Sequence, residues 1–397
     1  MSRLCNPAWA LSLAPIILCG TVLSSCSQGL TPAGRSVPPD GDMRPATAGY
    51  HQLYPFKGGT DGRFPTGAFI DGGGVWYGTT GGGRRFQGTV FAFTPSGGEH
   101  VVHLFRHGKS EGELPDALTV LDGTLYGTTR AGGTNGFGTV FSVTPSGSLH
   151  VVYAFAGGQD GATPAAITTI DGKLYGVTES GGINNAGTVF ELTTSGSERV
   201  LYRFADGTDG RTPGGWLVVK GHTIYGTTNT GGSDGCYSVG CGIVFSVTTA
   251  GVERVVYAFQ GGNDGEYPST LIMLDGALYG TTPFGGPHNE GTVFTISASG
   301  QERVLHSFGG GADGYYPSGL IAVDHKLYGT TGFGNASFIG ALFELSKSGQ
   351  EKTLYQFTGQ RAGEVPWGHL IYSNGVLYAI SAYGGFKSLG NIYSYTL

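Results

Sequence analysis

Residues 117–155, ALTVLDGTLYGTTRAGGTNGFGTVFSVTPSGSLHVVYAF, place two turn signals, Asp122-Gly123 and Ser146-Gly147, among short runs of Val, Leu, Thr, Tyr and Phe. Asp-Gly and Ser-Gly between such runs mark hairpins, because their residues tolerate the positive φ that tight hairpin turns require. The stretch therefore predicts four short strands, near 117–121, 125–129, 139–144 and 150–155. No segment carries a 3.6-residue apolar period, so helices are not expected.

The same stretch recurs along the chain. Tyr-Gly-Thr-Thr begins at Tyr77, Tyr126, Tyr225, Tyr279 and Tyr328, with variants at Tyr175 and Tyr378, and the successive spacings are 49, 49, 50, 54, 49 and 50. Gly-Thr-Val-Phe and its variants end at Phe91, Phe141, Phe190, Phe245, Phe294, Phe343 and Tyr393. They follow the tyrosine by 14 or 15 residues, except in the fourth unit, where the gap is 20 and the insertion holds Cys236 and Cys241. A third string ends at Phe56, Phe105, Phe155, Phe204, Phe259, Phe308 and Phe357. Its first copy precedes the first Tyr-Gly-Thr-Thr.

Units of about 50 residues with four strands match a β-propeller blade. The chain opens with an isolated fourth strand (51–56) and ends after a third (392–396), so its last sheet is complete only if the two ends pair. The expected fold is all-β, a seven-bladed propeller of four-stranded blades closed by an N-terminal strand. Middle strands should be apolar on both faces, with Phe141 and Val143 facing one neighbour and Val140 the other.

The repeated strings, Asp-Gly-x-x-Pro, Asp-Gly-x-Leu-Tyr-Gly-Thr-Thr, Gly-Gly, Gly-Thr-Val-Phe and Tyr-x-Phe, resemble the Gloeo-Verruco (GloVer) tandem repeat over residues 50–397. The resemblance implies an exported bacterial protein; it brings no established activity and no catalytic residues. The Asp-Gly-x-Leu-Tyr turn is also similar to that of quinoprotein propellers, but their tryptophan docking pattern is missing, so no quinone is expected.

Composition fits this reading. Glycine supplies 75 of 397 residues and charged residues only 13%, while 39% are hydrophobic. Many tight turns around an apolar core account for that balance. The net charge of −6 offers no basic surface, which argues against nucleic acid as a partner.

The first residues give a cellular address. Arg3, the apolar run 8–22 and Leu23-Ser24-Ser25-Cys26 have the form of a secretory signal ending in a motif that resembles the bacterial lipobox. The expected organisation is a signal peptide over 1–25, a Pro/Gly-rich tether over 26–49 that starts at a lipidated Cys26, and the propeller over 50–397. The protein is then a monomer anchored to the bacterial envelope (outer membrane or cell surface) by a lipid in the membrane. Cys5 and Cys19 leave with the signal, and Cys236 and Cys241 read as a local disulfide in an oxidising compartment. A metal site on those two thiols would need two further ligands, and His222 is the only histidine nearby in sequence.

A residue repeated in every blade is explained by the blade, whereas one found once on a loop is a candidate for function. The loop aspartates Asp61, Asp160, Asp209, Asp264 and Asp313 repeat and read as turn residues; one carboxylate per loop is too few for calcium. The loops between second and third strands hold the unique residues: Arg84, Arg85 and Phe86; Asn135 and Phe137; Asn184 and Asn185; Tyr237; His288, Asn289 and Glu290; Asn335 and Phe338; Phe386 and Lys387. Aromatics mixed with amides suit stacking on sugar rings, and a solvated rim is the structural alternative. After the repeated Pro, Asp116 and Trp367 replace small residues, with His369 nearby. No Gly-x-Ser-x-Gly elbow between a strand and a helix, His-Glu-x-x-His helix or phosphate-cradling loop is expected. Two functions compete: a binding or scaffolding module for a glycan or protein partner, without cofactor or metal, and a glycan-active lyase or hydrolase. Convergence of Asp116, His369, His288, Glu290 and Trp367 on one pocket would favour the enzyme.

Overall fold

The computed structural model describes residues 49–397 apart from 83–85, 97, 109, 234, 237–238, 335–338 and 360–362. The signal, the tether and Cys26 therefore lie outside the described residues, as do Arg84, Arg85, Tyr237, Asn335 and Phe338.

The strands form seven antiparallel sheets of four. The sheet of blade 2 is Glu113–Leu121, Thr124–Ala131, Thr139–Val143 and Leu149–Ala154, close to the expected strands except that the first begins four residues earlier. That extension contains Pro115, which sits opposite Thr129. The innermost strand has no partner on its channel side, so the missing proline N–H costs no ladder bond.

The repeated strings are the internal ties of a blade. The glycine of Tyr-Gly-Thr-Thr makes room for the phenylalanine of the next strand, since a Cβ on Gly127 or Gly176 would fall on the ring of Phe141 or Phe190. The last threonine of that string bonds the first of Gly-Thr-Val-Phe, Thr129 to Thr139 at 2.9 Å and Thr178 to Thr188 at 2.8 Å. Between blades, Phe141 and Val143 pack with Val90 and Phe105, whereas Val140 packs with Ile167, Leu174 and Phe190. The alternation makes every interface a hydrophobic core.

Ring closure follows the strand count. Tyr50–Pro55 pairs with Asn391–Thr396 from Tyr50↔Tyr395 to Pro55↔Asn391, with a one-residue shift between Gln52 and Tyr54, in the sheet completed by Val376–Tyr383 and Glu364–Ser373. Tyr50 stacks on Tyr355 of blade 6 at 4.3 Å, and Phe56, fully buried, packs with Phe69 and Phe91 of blade 1. The N-terminal strand thus touches the blades on both sides of the seam.

Candidate channel-mouth binding site

The loops joining second to third strands meet the loops entering the next blade on one face. Gly138 packs against Pro164 of the following blade, and the Thr163 N–H donates to the Phe137 carbonyl at 2.9 Å. The residue before each repeated Pro has a positive φ in all seven blades: Phe64, Leu114, Thr163, Thr212, Tyr267, Tyr316 and Val365, at 53–63°. Such a conformation costs about 1–3 kcal/mol for a residue other than glycine. Its sevenfold recurrence makes it architecture, the N–H being aimed at the preceding loop, as in Tyr267 to Cys241 O and Tyr316 to Glu290 O.

The loop aspartates are architecture too. Asp160 accepts from the Tyr153 hydroxyl at 2.8 Å and from the Ala156 N–H at 2.6 Å, which uses both carboxylate oxygens. Asp264 repeats the arrangement with Tyr257 and the Gln260 N–H, while Asp209 accepts from the Tyr202 hydroxyl and the Ala205 N–H on one oxygen. Beside these aspartates stand Glu99, Glu198, Glu253 and Glu302, each with one buried oxygen lacking a hydrogen-bond partner. Burial, and then the aspartate charge, pushes Glu99 and Glu302 up to about 8 and Glu198 and Glu253 to about 7. The constant spacing, 38 residues from Asp61 to Glu99, Asp160 to Glu198 and Asp264 to Glu302, was the available signal.

The candidate amides serve their own loops. Asn135 Nδ2 donates to Phe155 O, Asn184 Nδ2 to Ala205 O, and the side-chain carbonyls of Asn185 and Asn289 accept from the Gly181 and Gly285 N–H groups. Asn184, Asn185 and Asn289 have positive φ, which asparagine tolerates. Phe137 and Phe386 are exposed, Lys387 reaches over the Phe386 ring, and Phe86 begins the strand Phe86–Thr94.

The residues named for acid/base chemistry each have partners of their own. Asp116 binds Arg130 Nη1 at 2.8 Å, and Arg130 Nη2 binds Glu179 of blade 3. Trp367 stacks on Tyr316, with centroids 5.8 Å apart. His369 lies against Trp216. Glu290 is close enough to His288 and Asp313 to feel both charges, and burial raises its carboxyl.

Two features of the mouth were missed in sequence. The first is the Asp116–Arg130–Glu179 bridge between blades 2 and 3; the fourth residue after each motif tyrosine is Gly81, Arg130, Glu179, Asn229, Pro283, Gly332 or Ala382, so two charges in adjacent units were the signal. The second is an aromatic arc. Tyr267 meets Phe284, Phe284 meets Tyr316, and Tyr316 meets Phe333 and Trp367, with centroids 5.3–5.8 Å apart. At the positions of Tyr267 and Tyr316, blades 2 to 4 carry Leu114, Thr163 and Thr212, and at those of Phe284 and Phe333 they carry Ala131, Ser180 and Thr230. The mouth is therefore aromatic across blades 5 to 7, with Tyr383 of blade 7 meeting Phe64 of blade 1, and charged across blades 2 and 3.

Cys236 and Cys241 are joined within the long loop of blade 4, and Cys241 is buried. A disulfide belongs to an oxidising compartment and indicates a protein outside the cytoplasm.

Fold and mouth together define a disulfide-stapled, seven-bladed β-propeller whose variable residues gather on its loop face. The Gloeobacter/Verrucomicrobia repeat matches residues 42–171, 165–331 and 237–397, and the chain belongs to that family. Among solved structures it is similar to a computationally designed protein, with TM-score 0.51, 13% identity, and 87% of this chain and 99% of that one covered. It is similar also to a 6-phosphogluconolactonase, so described, from Bacteroides fragilis, with TM-score 0.50, 18% identity, and 77% and 86% covered. A puromycin hydrolase variant gives TM-score 0.55 and 12% identity, with 81% of this chain matching 50% of that one. At these identities the likeness is one of fold. No curated protein matches the chain.

Proposed function

We propose that the protein is a lipid-anchored binding module of the bacterial envelope whose loop face takes a glycan. The observation that carries this is the asymmetric arc of Tyr267, Phe284, Tyr316, Phe333 and Trp367, since a purely architectural role would repeat in all seven blades. Half-buried rings beside polar groups suit the apolar faces and hydroxyls of sugars. Gly49 joins the ring beside Tyr395 and Thr396, at the opposite end of the last strand from Gly390, which packs on Pro65 at the loop face.

The test is a glycan and peptidoglycan array probed with the full protein. Trp367→Ala combined with Phe284→Ala is expected to remove the hits while leaving the melting temperature within a few degrees; hits of undiminished strength would refute the arc as the site. The anchor is tested separately. Cys26→Ser should abolish labelling by a palmitate analogue and release the protein from membranes, and unchanged labelling would contradict it.

A further inference from the structure

The inner strands differ in one respect that bears on the lumen. The repeated Pro precedes the motif tyrosine by 11 residues in blades 2, 3, 5 and 6, but by 12 in blades 1, 4 and 7. In blades 1, 4 and 7 the ladder skips from Pro65 to Phe69, from Gly214 to Val218 and from Trp367 to Ile371, each four residues against two on the partner strand. The bulges of blades 4 and 7 read Pro-x-Gly-aromatic-Leu: Pro213-Gly214-Gly215-Trp216-Leu217 and Pro366-Trp367-Gly368-His369-Leu370. Gly215 and Gly368 have φ of 68° and 85°. A side chain on Gly215 would strike the Ser269 carbonyl of blade 5, and one on Gly319 of blade 6 would strike that of Gly368, so each bulge leans on a neighbouring blade.

Blades 4 and 7 stand across the channel from one another, and Trp216 and His369 meet there with their rings inclined by 33°. The residues nine before the motif tyrosine in blades 2, 3, 5 and 6 are Ala117, Ala166, Thr270 and Gly319, all small and buried. Trp216 and His369 are thus the large rings that the two lengthened inner strands bring together across the channel. Both retain partial exposure, and burial pushes His369 down to about 3, so its ring is a neutral donor and acceptor at ordinary pH. On the wall above, Arg130 is held between Asp116 and Glu179, and the second Glu179 oxygen looks toward Gly214, which presents no side chain. Arg63 donates to the Gly82 carbonyl and Arg211 pairs with Asp206. These described guanidinium groups near the mouth are already engaged.

We infer that the mouth is a blind socket floored by Trp216 and His369, and that it takes a neutral sugar rather than an anionic one. The inference rests on the reading of the loop face as a glycan site. The indole supplies an apolar face for stacking, the imidazole and Glu179 take hydroxyl groups, and the guanidinium groups of Arg63, Arg130 and Arg211 are engaged within the protein.

The experiment is a calorimetric titration of the full chain in detergent with neutral linear hexasaccharides (maltohexaose, cellohexaose, mannohexaose and N-acetylchitohexaose) and with hexagalacturonate as the anionic counterpart. At least one neutral hexasaccharide should bind, with hexagalacturonate at least about tenfold weaker. Trp216→Ala should weaken binding about tenfold or more. Trp216→Leu, which fills the lumen without an aromatic face, should do the same and covers the case in which the alanine variant fails to fold. Full affinity in Trp216→Leu with loss in Trp367→Ala would overturn the floor and leave the aromatic arc standing. Binding of hexagalacturonate as tight as the neutral sugars would overturn the charge selection, and absence of any neutral binding would overturn both readings.

Discussion

Raising the pH from 5 to 8.5 is expected to lower the melting temperature by roughly 5–10 °C, the reverse of the usual expectation that neutral pH suits a protein best. The cause is the set of glutamates beside the loop aspartates. Glu99 and Glu302 are raised to about 8 and Glu198 and Glu253 to about 7, first by burial and then by the negative charge of Asp61, Asp264, Asp160 and Asp209. An unfolded glutamate titrates near 4.3. A folded value above the unfolded one gives stability that is complete below about pH 4 and is lost as the pH rises through 7 to 8. Glu191 and Glu344 act oppositely: their bonds to Lys173, Tyr175 and Arg199, and to Lys326 and Tyr328, lower them and favour the fold above pH 4. The optimum should therefore fall near pH 5. These four glutamates are half-buried, and screening by water reduces each contribution to about 1 kcal/mol. Thermal scans across this range test the point. Replacing all four by Gln should flatten the profile, and a melting temperature that climbs from pH 5 to 8.5 would contradict it.

The largest effect should come from the seam. A chain starting at Gly49 keeps every described contact, whereas one starting at Lys57 loses Tyr50 and Phe56 from two interblade cores and uncovers the Asn391–Thr396 edge. Burial of such rings contributes about 1.5–3 kcal/mol each. The ladder bonds go as well, so the total approaches the roughly 5–15 kcal/mol of a typical domain's stability. The unpaired edge is also a template for self-association. The longer deletion should aggregate or fail to fold while the shorter melts as the parent does. A monomeric product of undiminished heat stability would mean that the ring does not depend on its shared strand.

The blade was legible because each repeated string is a single strand or turn, decided by neighbours in sequence. Even closure was legible, since it required only counting an orphan strand at each end. What escaped notice lies between units. The Arg130–Glu179 contact joins positions 49 residues apart in adjacent blades, and the Asp160–Glu198 pair joins positions 38 apart. Neither contact is visible while each residue is weighed within its own loop. Trp216 was passed over because its neighbours, Gly214 and Gly215, look like turn residues, and only the 12-residue spacing to Tyr225 shows an added channel residue. Asn184 and Asn185 stood out as unique polar residues on a loop, yet their positive φ and their bonds to Ala205 O and Gly181 N give them a local task.

The loop face over blades 5 to 7 is the proposed binding surface. Hydrogen exchange of the full chain, with and without a saturating glycan from the array, tests it most directly. Protection should appear in the segments around Tyr267, Phe284, Tyr316, Phe333 and Trp367 and be absent from the opposite turns at Asp122, Asp171 and Asp275. Protection confined to those turns, or none anywhere at saturation, would contradict the account.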